Sequence, residues 1–236
     1  MRKYEKGTEA HRASGKGGGF MRLVLVGAPG SGKGTQADLL VTRLGLTSIG
    51  TGDILRAAIK DETPDGLQAE PIIKKGLLVP DSIVNDLVAE LFQRPERPDS
   101  FVLDGYPRTY AQAIAFDALL NLQYLKLDAV VGLAVKDEEV VRRIGSRRCC
   151  ESTGCGICYN LLARPPKVKD TCDKCGSPLT IREDDREETV RRRLVEFHNN
   201  TDLLVEHYRM RGLLREVSAL DPVETIYANI VKAVKG

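Results

Sequence analysis

The feature that most constrains the fold is a glycine-rich segment, residues 27–35 (Gly-Ala-Pro-Gly-Ser-Gly-Lys-Gly-Thr), which directly follows the apolar residues 23–26. A buried strand that breaks into such a turn lets several backbone N–H groups converge on an anion. Apolar residues at helical spacing follow in residues 36–44, so the N-terminus of a helix would add its positive dipole end. Lys33 stands where its ammonium group can reach the outer phosphates. The segment therefore predicts a nucleotide-binding loop.

The order of apolar patterns predicts an α/β fold. Strand-like runs at residues 23–26, 101–103, 129–135 and 213–217 alternate with helical patterns at 33–43, 52–60, 80–93, 109–123, 137–147, 185–210 and 222–235. Such alternation is typical of a parallel sheet covered by helices on both faces. Residues 50–79, read as short helices with loops, and the turn-rich residues 146–185 interrupt it. We therefore expect one core domain over residues 21–236, two insertions, and a flexible tail at residues 1–20.

Composition argues against two classes of partner. The chain of 236 residues has a formal net charge of +2, and 42% of its residues are hydrophobic. Near-neutral charge without interleaved aromatic residues disfavours a nucleic-acid-binding protein. No apolar run approaches the roughly 20 residues that span a bilayer, and residues 1–20 lack the apolar centre of a secretory signal. We therefore expect a cytoplasmic protein without membrane or nucleic-acid partners.

Two further segments place charged and hydroxyl groups where phosphates bind. Asp104 ends the predicted strand at 101–103, at the sheet edge where open α/β folds bind ligands, and a carboxylate there can hold hydrated Mg²⁺. Arg108 can bind a phosphate bidentately, and Thr51 and Arg56 open a helix. Further arginines are Arg143 and Arg147, which the helical spacing places on one face, and Arg182 and Arg193. So many cations favour phosphoryl transfer between two polyanions.

All six cysteines lie between residues 149 and 175, which requires a local cause. In a cytoplasmic chain such clustering argues against disulfides and for a metal site. Two Cys-x-x-Cys pairs, Cys155 with Cys158 and Cys172 with Cys175, have the spacing of a structural Zn²⁺ site. Four thiolates leave no open position for catalysis, so such a site would be structural.

Taken together, these segments make the chain resemble an adenylate kinase of the long-lid type with a zinc-binding lid. The resemblance covers residues 21 to about 234, and its carriers are GAPGSGKGTQA (27–37), TGDILRAA (51–58), GLLVPD (76–81), FVLDGYPRT (101–109), RIGSRR (143–148), ARPPKV (163–168) and REDDREETVRRRL (182–194). It implies a three-layer P-loop nucleoside monophosphate kinase core with a parallel sheet, an AMP-binding insertion at 50–79 and a zinc-bearing lid at 146–185. It also implies a monomer that catalyses Mg·ATP + AMP ⇌ 2 ADP, with lid closure excluding water.

Carried over onto matching positions, the resemblance implies three sets of site residues. The ATP side would comprise Gly30, Ser31, Gly32, Lys33, Gly34, Thr35, Arg143 and Tyr159, together with Asp104 for Mg²⁺. The AMP side would comprise Thr51, Arg56, Val79, Gly105, Arg108, Gln112, Arg182 and Arg193. The catalytic set would comprise Lys33, Arg108, Arg147, Arg182 and Arg193, with Asp184 and Asp185 orienting the arginines.

The resemblance and the bare spacing disagree about one zinc ligand. The family register favours Cys150, Cys155, Cys172 and Cys175, whereas the two Cys-x-x-Cys pairs put Cys158 in place of Cys150. Two functional alternatives also stay open. One is a kinase of the same fold that uses GTP or another monophosphate, and the other is a zinc-ribbon nucleic-acid-binding protein.

Overall fold

Five parallel strands form the central sheet of the computed structural model, which describes residues 20–152 and 155–235. They are β1 (Arg22–Gly27), β2 (Thr47–Gly50), β3 (Phe101–Asp104), β4 (Ala129–Ala134) and β8 (Leu214–Ser218). Their order across the sheet is β2-β3-β1-β4-β8, so β1 is central. The parallel sheet confirms the predicted fold class, whereas β2 was not predicted. The tail predicted for residues 1–20 lies outside the described residues except for Phe20.

Helices cover both faces of this sheet. They are α1 (Lys33–Leu44), α2 (Thr51–Lys60), α3 (Pro64–Lys74), α4 (Asp81–Gln93), α5 (Tyr110–Leu122), α6 (Asp137–Gly145), α7 (Glu187–Met210) and α8 (Val223–Lys235). Residues 23–26 of β1 are all apolar because alternate side chains enter different cores. Val24 packs with Phe101 and Phe116 on one face, while Leu23 packs with Leu40 and Ile230 on the other.

Helices α2 and α3 form a tight pair between β2 and α4. Thr63 caps α3, since its Oγ1 accepts a hydrogen bond from the Gly66 N–H at 3.1 Å, and Pro64 occupies the first helical position. Gly66 faces the backbone of Ala58 so closely that a Cβ there would overlap the Ala58 carbonyl group. A glycine is therefore required at this helix crossing.

The segment between α6 and α7 has a sheet of its own. Strands β5 (Arg147–Cys150), β6 (Cys158–Asn160) and β7 (Leu179–Thr180) pair antiparallel in the order β6-β5-β7, and a 3₁₀ turn at Glu183–Asp185 precedes α7. The sequence indicated a turn-rich module here, without this order of strands. Helix α6 ends at Gly145, so the prediction that Arg143 and Arg147 share one helical face was wrong, and Arg147 begins β5 instead.

Candidate active site

The glycine-rich loop joins β1 to α1 at the carboxyl edge of the sheet. Gly30 and Gly32 have φ values of 76° and 103°, in the left-handed region that glycine adopts without strain. A Cβ on Gly30 would also collide with the side chain of Ile144. Gly32 immediately precedes the first helical residue, Lys33, so the N-terminal N–H groups of α1 lie at the end of the loop. This arrangement can bind an anion.

Lys33 is anchored to the loop that it follows. Its ammonium group donates hydrogen bonds to the carbonyl oxygens of Gly27 at 2.7 Å and Ala28 at 2.9 Å. Burial lowers the pKa of Lys33 to about 8; the carboxylate of Asp104 opposes the shift, and the guanidinium groups of Arg108, Arg193 and Arg147 add to it. Charged side chains from β3, the segment after β3, β5 and α7 therefore all act on Lys33.

The predicted arginines converge on the same cleft. Burial lowers the pKa of Arg182 to about 10, and the positive charges of Arg56 and Arg147 lower it further. Burial likewise lowers the pKa of Arg193 to about 10, and Arg108 and Arg147 add to the shift. With pKa values of about 10, Arg182 and Arg193 remain protonated at neutral pH, so several positive charges lie close together in this cleft. The cleft is therefore an electrostatic site for phosphates.

Two aspartates hold two of these arginines. Asp185 is completely buried and accepts hydrogen bonds from Nε of Arg147 at 2.7 Å and from its Nη2. Asp184 accepts a hydrogen bond from Nη1 of Arg193 at 2.9 Å. Both carboxylates belong to the 3₁₀ turn before α7, so one short segment orients arginines from β5 and α7.

Beside the loop, the end of β3 supplies a second set of polar groups. The carbonyl oxygen of Gly105 accepts hydrogen bonds from Oγ1 of Thr51 and from Nε of Arg108, each at 2.8 Å. Asp104 lies close to the start of α1, since a Cβ on Gly34 would sit 3.4 Å from its Oδ2. Arg56 pairs with Asp53 at 2.5 Å, and Val79 is buried in the same apolar cluster as Leu103 and Tyr106.

The side chain of Gln112 is buried in a network that the sequence did not reveal. Its Oε1 accepts a hydrogen bond from the Arg108 N–H at 2.7 Å, and its Nε2 donates to Oδ1 of Asp81 at 2.7 Å. Oδ2 of Asp81 accepts from Oγ1 of Thr109 at 2.8 Å. Asp81 ends the GLLVPD block, and its position in the first turn of the helix predicted at 80–93 was the one signal in the sequence.

The two remaining residues expected beside ATP lie in different surroundings. Arg143 donates from Nη2 to the Ala219 carbonyl oxygen at 2.8 Å and from Nη1 to that of Ser31 at 3.4 Å, so it lies beside the glycine-rich loop. Tyr159 is 5% exposed, and its hydroxyl accepts a hydrogen bond from the Asp173 N–H at 2.8 Å. Tyr159, which the resemblance places on the ATP side, packs in this structure against Cys150, Cys172 and Leu179 inside the module at 146–185.

Four free thiols meet in that module. The Sγ atoms of Cys150, Cys155, Cys172 and Cys175 all lie within 4.8 Å of one another, with 3.4 Å between Cys150 and Cys175 and 3.6 Å between Cys155 and Cys172. A tetrahedral Zn²⁺ with bonds of about 2.3 Å requires sulfur atoms about 3.8 Å apart. The cluster fits this metal in size and in ligand chemistry.

Cys158, the alternative ligand, lies elsewhere. It forms a disulfide with Cys149, its register partner across β5 and β6. The expectation that this chain has no disulfide is corrected here. Cys149 and Cys150 are consecutive residues of β5, and consecutive side chains of a strand point to opposite faces. Cys149 therefore pairs with Cys158 on one face, while Cys150 joins the thiol cluster on the other.

Comparison with known proteins decides which family this site belongs to. A family model described as adenylate kinase matches residues 25–213. An adenylate kinase of Streptomyces avermitilis is 43% identical over 215 residues, which cover 91% of this chain and 97% of the relative. An adenylate kinase of Archaeoglobus fulgidus is 44% identical, with 89% and 96% covered, and one of Lachnospira eligens is 41% identical, with 90% and 99% covered.

The chain belongs to the adenylate kinase family. The α/β core is the P-loop nucleoside monophosphate kinase fold of this family, and the cysteine cluster supports a lid of the zinc-binding type. Adenylate kinases are phosphotransferases that use Mg²⁺ with ATP. Within the residues that the structure describes, no helix is long and apolar enough to cross a membrane.

Proposed function

We propose that the protein transfers the terminal phosphoryl group of Mg·ATP to AMP, reversibly, giving two molecules of ADP. The observation that carries this proposal is the group of cations around Lys33: Arg108, Arg147 and Arg193 all contribute to lowering its pKa, and Asp104 opposes them. A single triphosphate site does not require so many cations, whereas two polyanions brought together for phosphoryl transfer do.

In this proposal the glycine-rich loop binds the phosphates of ATP, and Lys33 follows the transferred group. Arg143 would contact the adenine of ATP, since it lies between the loop and the Ala219 carbonyl. Thr51, Arg56, Val79, Gly105, Arg108 and Gln112 would surround AMP, with Arg182 and Arg193 on its phosphate. No general base is needed, because the phosphate of AMP is already a nucleophile.

Asp104 would hold hydrated Mg²⁺, which would neutralise negative charge on the phosphates during transfer. The residues fit this ion, since the carboxylate of Asp104 lies against the start of α1, beside the loop that would hold the phosphates. The aspartates before α7 keep Arg147 and Arg193 in place, so that positioning and charge stabilisation supply the catalysis.

The module at 146–185 would act as a lid, and the segment at 50–79 as the AMP-binding insertion. Their closure would exclude water, which would otherwise hydrolyse ATP. Zn²⁺ held by Cys150, Cys155, Cys172 and Cys175 would stabilise the lid. We further propose a cytoplasmic monomer with no nucleic-acid or membrane partner.

A coupled assay across nucleotide pairs tests the function. ATP and GTP are each combined with AMP, CMP, UMP and GMP, and ADP formation is compared at equal concentrations. We expect the pair ATP and AMP to give the highest kcat/KM. A preference for GTP, or for another monophosphate, would replace this proposal with a different kinase of the same fold. Absence of phosphoryl transfer with every pair would refute it.

A further inference from the structure

The amide of Gln112 is held in one orientation by two groups of opposite character. The Arg108 N–H can only donate a hydrogen bond, so it selects the oxygen Oε1. The carboxylate of Asp81 can only accept one while ionised, so it selects the nitrogen Nε2. Because Gln112 is only 1% exposed, water cannot readily replace either partner. A flipped amide would place its NH₂ group against the Arg108 N–H, donor against donor. It would also place its oxygen against the Asp81 carboxylate, acceptor against acceptor.

Asp81 is itself fixed on the side away from Gln112. Its second oxygen accepts the Thr109 hydroxyl at 2.8 Å, and Thr109 Oγ1 in turn accepts the Gln112 backbone N–H at 3.1 Å. Asp81 is also the first residue of α4, so its backbone belongs to a helix rather than to a loose loop. These contacts hold the Asp81 carboxylate in one position, with Oδ1 facing the Gln112 amide.

We propose that Asp81 is a positioning residue that sets the base preference of the monophosphate site by fixing the amide of Gln112. This inference rests on the proposed function, in which Gln112 contacts the adenine of AMP. One hydrogen on Nε2 and one lone pair on Oε1 remain beyond the two contacts described. They match adenine, whose edge offers an acceptor at N1 and a donor at N6.

Hypoxanthine offers the reverse pattern, a donor at N1 and an acceptor at O6, so only a flipped amide would match it. IMP is therefore the informative competitor of AMP. It differs from AMP at the edge of the base and keeps the same ribose and phosphate. With Asp81 in place the flipped amide is penalised, and AMP is preferred. Without Asp81 one of the two constraints is lost.

The test compares Asp81→Ala with Asp81→Asn, and with Asp86→Ala as a matched control on the exposed face of α4. We measure kcat/KM for AMP and for IMP at saturating ATP, together with the KM for ATP. Asp81→Ala should lower the AMP-to-IMP ratio about tenfold, the value of one hydrogen bond, and leave the KM for ATP unchanged. Asp81→Asn keeps an acceptor oxygen and should retain the wild-type ratio, as should Asp86→Ala.

A folded Asp81→Ala protein with the wild-type ratio would overturn the inference. So would equal losses for AMP, IMP and ATP, which indicate a purely structural role. If Asp81→Ala does not fold by circular dichroism, Asp81→Ser replaces it, because serine also suits a helix N-terminus and its hydroxyl is one bond too short to reach Gln112. For a folded Asp81→Ser protein, an unchanged AMP-to-IMP ratio or equal losses for AMP, IMP and ATP would likewise overturn the inference.

The wild-type protein separates this inference from the proposed function. If it phosphorylates AMP but does not prefer it to IMP, the inference fails and phosphoryl transfer stands. If it phosphorylates neither, both fail.

Discussion

Arg147 and Asp185 join the two ends of the module between α6 and α7. Asp185 is completely buried, and both of its carboxylate oxygens accept hydrogen bonds from the guanidinium group of Arg147. The two residues are 38 positions apart in the chain. Nη1 of Arg193 also lies 3.8 Å from Oδ1 of Asp185, so one carboxylate neutralises charge from both β5 and α7.

Replacing Asp185 with Asn should destabilise the protein and slow turnover. The change leaves Arg147 with an uncompensated charge that is largely buried, which costs about 3–5 kcal/mol in comparable pairs. Urea unfolding measures the free energy of unfolding, and a coupled assay measures kcat. Glu188→Gln is the control, because its partner Arg192 is exposed and such a pair is worth about 1 kcal/mol or less. Equal stabilities of the two variants would contradict the role given to Asp185.

Binding of ATP should weaken as the pH rises through about 8. Burial lowers the pKa of Lys33 in the free protein to about 8, so the ammonium form is present below that pH and is lost above it. A bound polyphosphate would favour the protonated form, so binding above pH 8 must take up a proton. We expect kcat/KM for ATP to fall on the alkaline side with an apparent pKa near 8.

Two variants check the assignment to Lys33. Lys33→Arg should lose the alkaline limb, since arginine stays protonated. Lys33→Ala should lower kcat by several orders of magnitude without changing the circular dichroism spectrum. A rate with ATP that is independent of pH up to 10 in the wild type would refute the titration of this lysine.

Zinc content should separate Cys150 from Cys158. The four free thiols lie within 4.8 Å of one another, whereas Cys158 is bonded to Cys149. Purified protein should contain about one Zn²⁺ per chain, and Cys150→Ser, Cys155→Ser, Cys172→Ser and Cys175→Ser should each lower that content. Cys158→Ser should keep it. Chelation should lower the melting temperature while some activity remains at low temperature. Zinc lost from the Cys158 variant and kept in the Cys150 variant would favour the two Cys-x-x-Cys pairs.

Gly66→Ala should destabilise the pair of helices α2 and α3. The new methyl group would overlap the backbone of Ala58, and separating the helices to make room should cost about 1–3 kcal/mol. We expect a higher KM for AMP with little change in the KM for ATP, because Thr51 and Arg56 lie on α2. Gly145→Ala is the control, since a Cβ there meets no atom within 4 Å. An unchanged melting temperature would show that the crossing tolerates the methyl group.

Local patterns in the sequence determined the fold class, the glycine-rich loop and most helices, because each depends on residues within a few positions of one another. The phosphate loop is one such case, in which strand, glycines and Lys33 are consecutive. Strand β2 was not predicted because only four residues form it and two of them are exposed, so it has no apolar run. Helix α6 was predicted two residues too long, which misplaced Arg147.

Tertiary structure alone decided which distant side chains meet. Cys149 and Cys150 are neighbours in sequence, yet alternation along β5 sends one to Cys158 and the other to the thiol cluster. Gln112 and Asp81 are 31 residues apart, and only the packing of α4 against α5 brings their side chains together. Such contacts depend on how elements pack across the fold, and residue spacing within one segment carries no record of that packing.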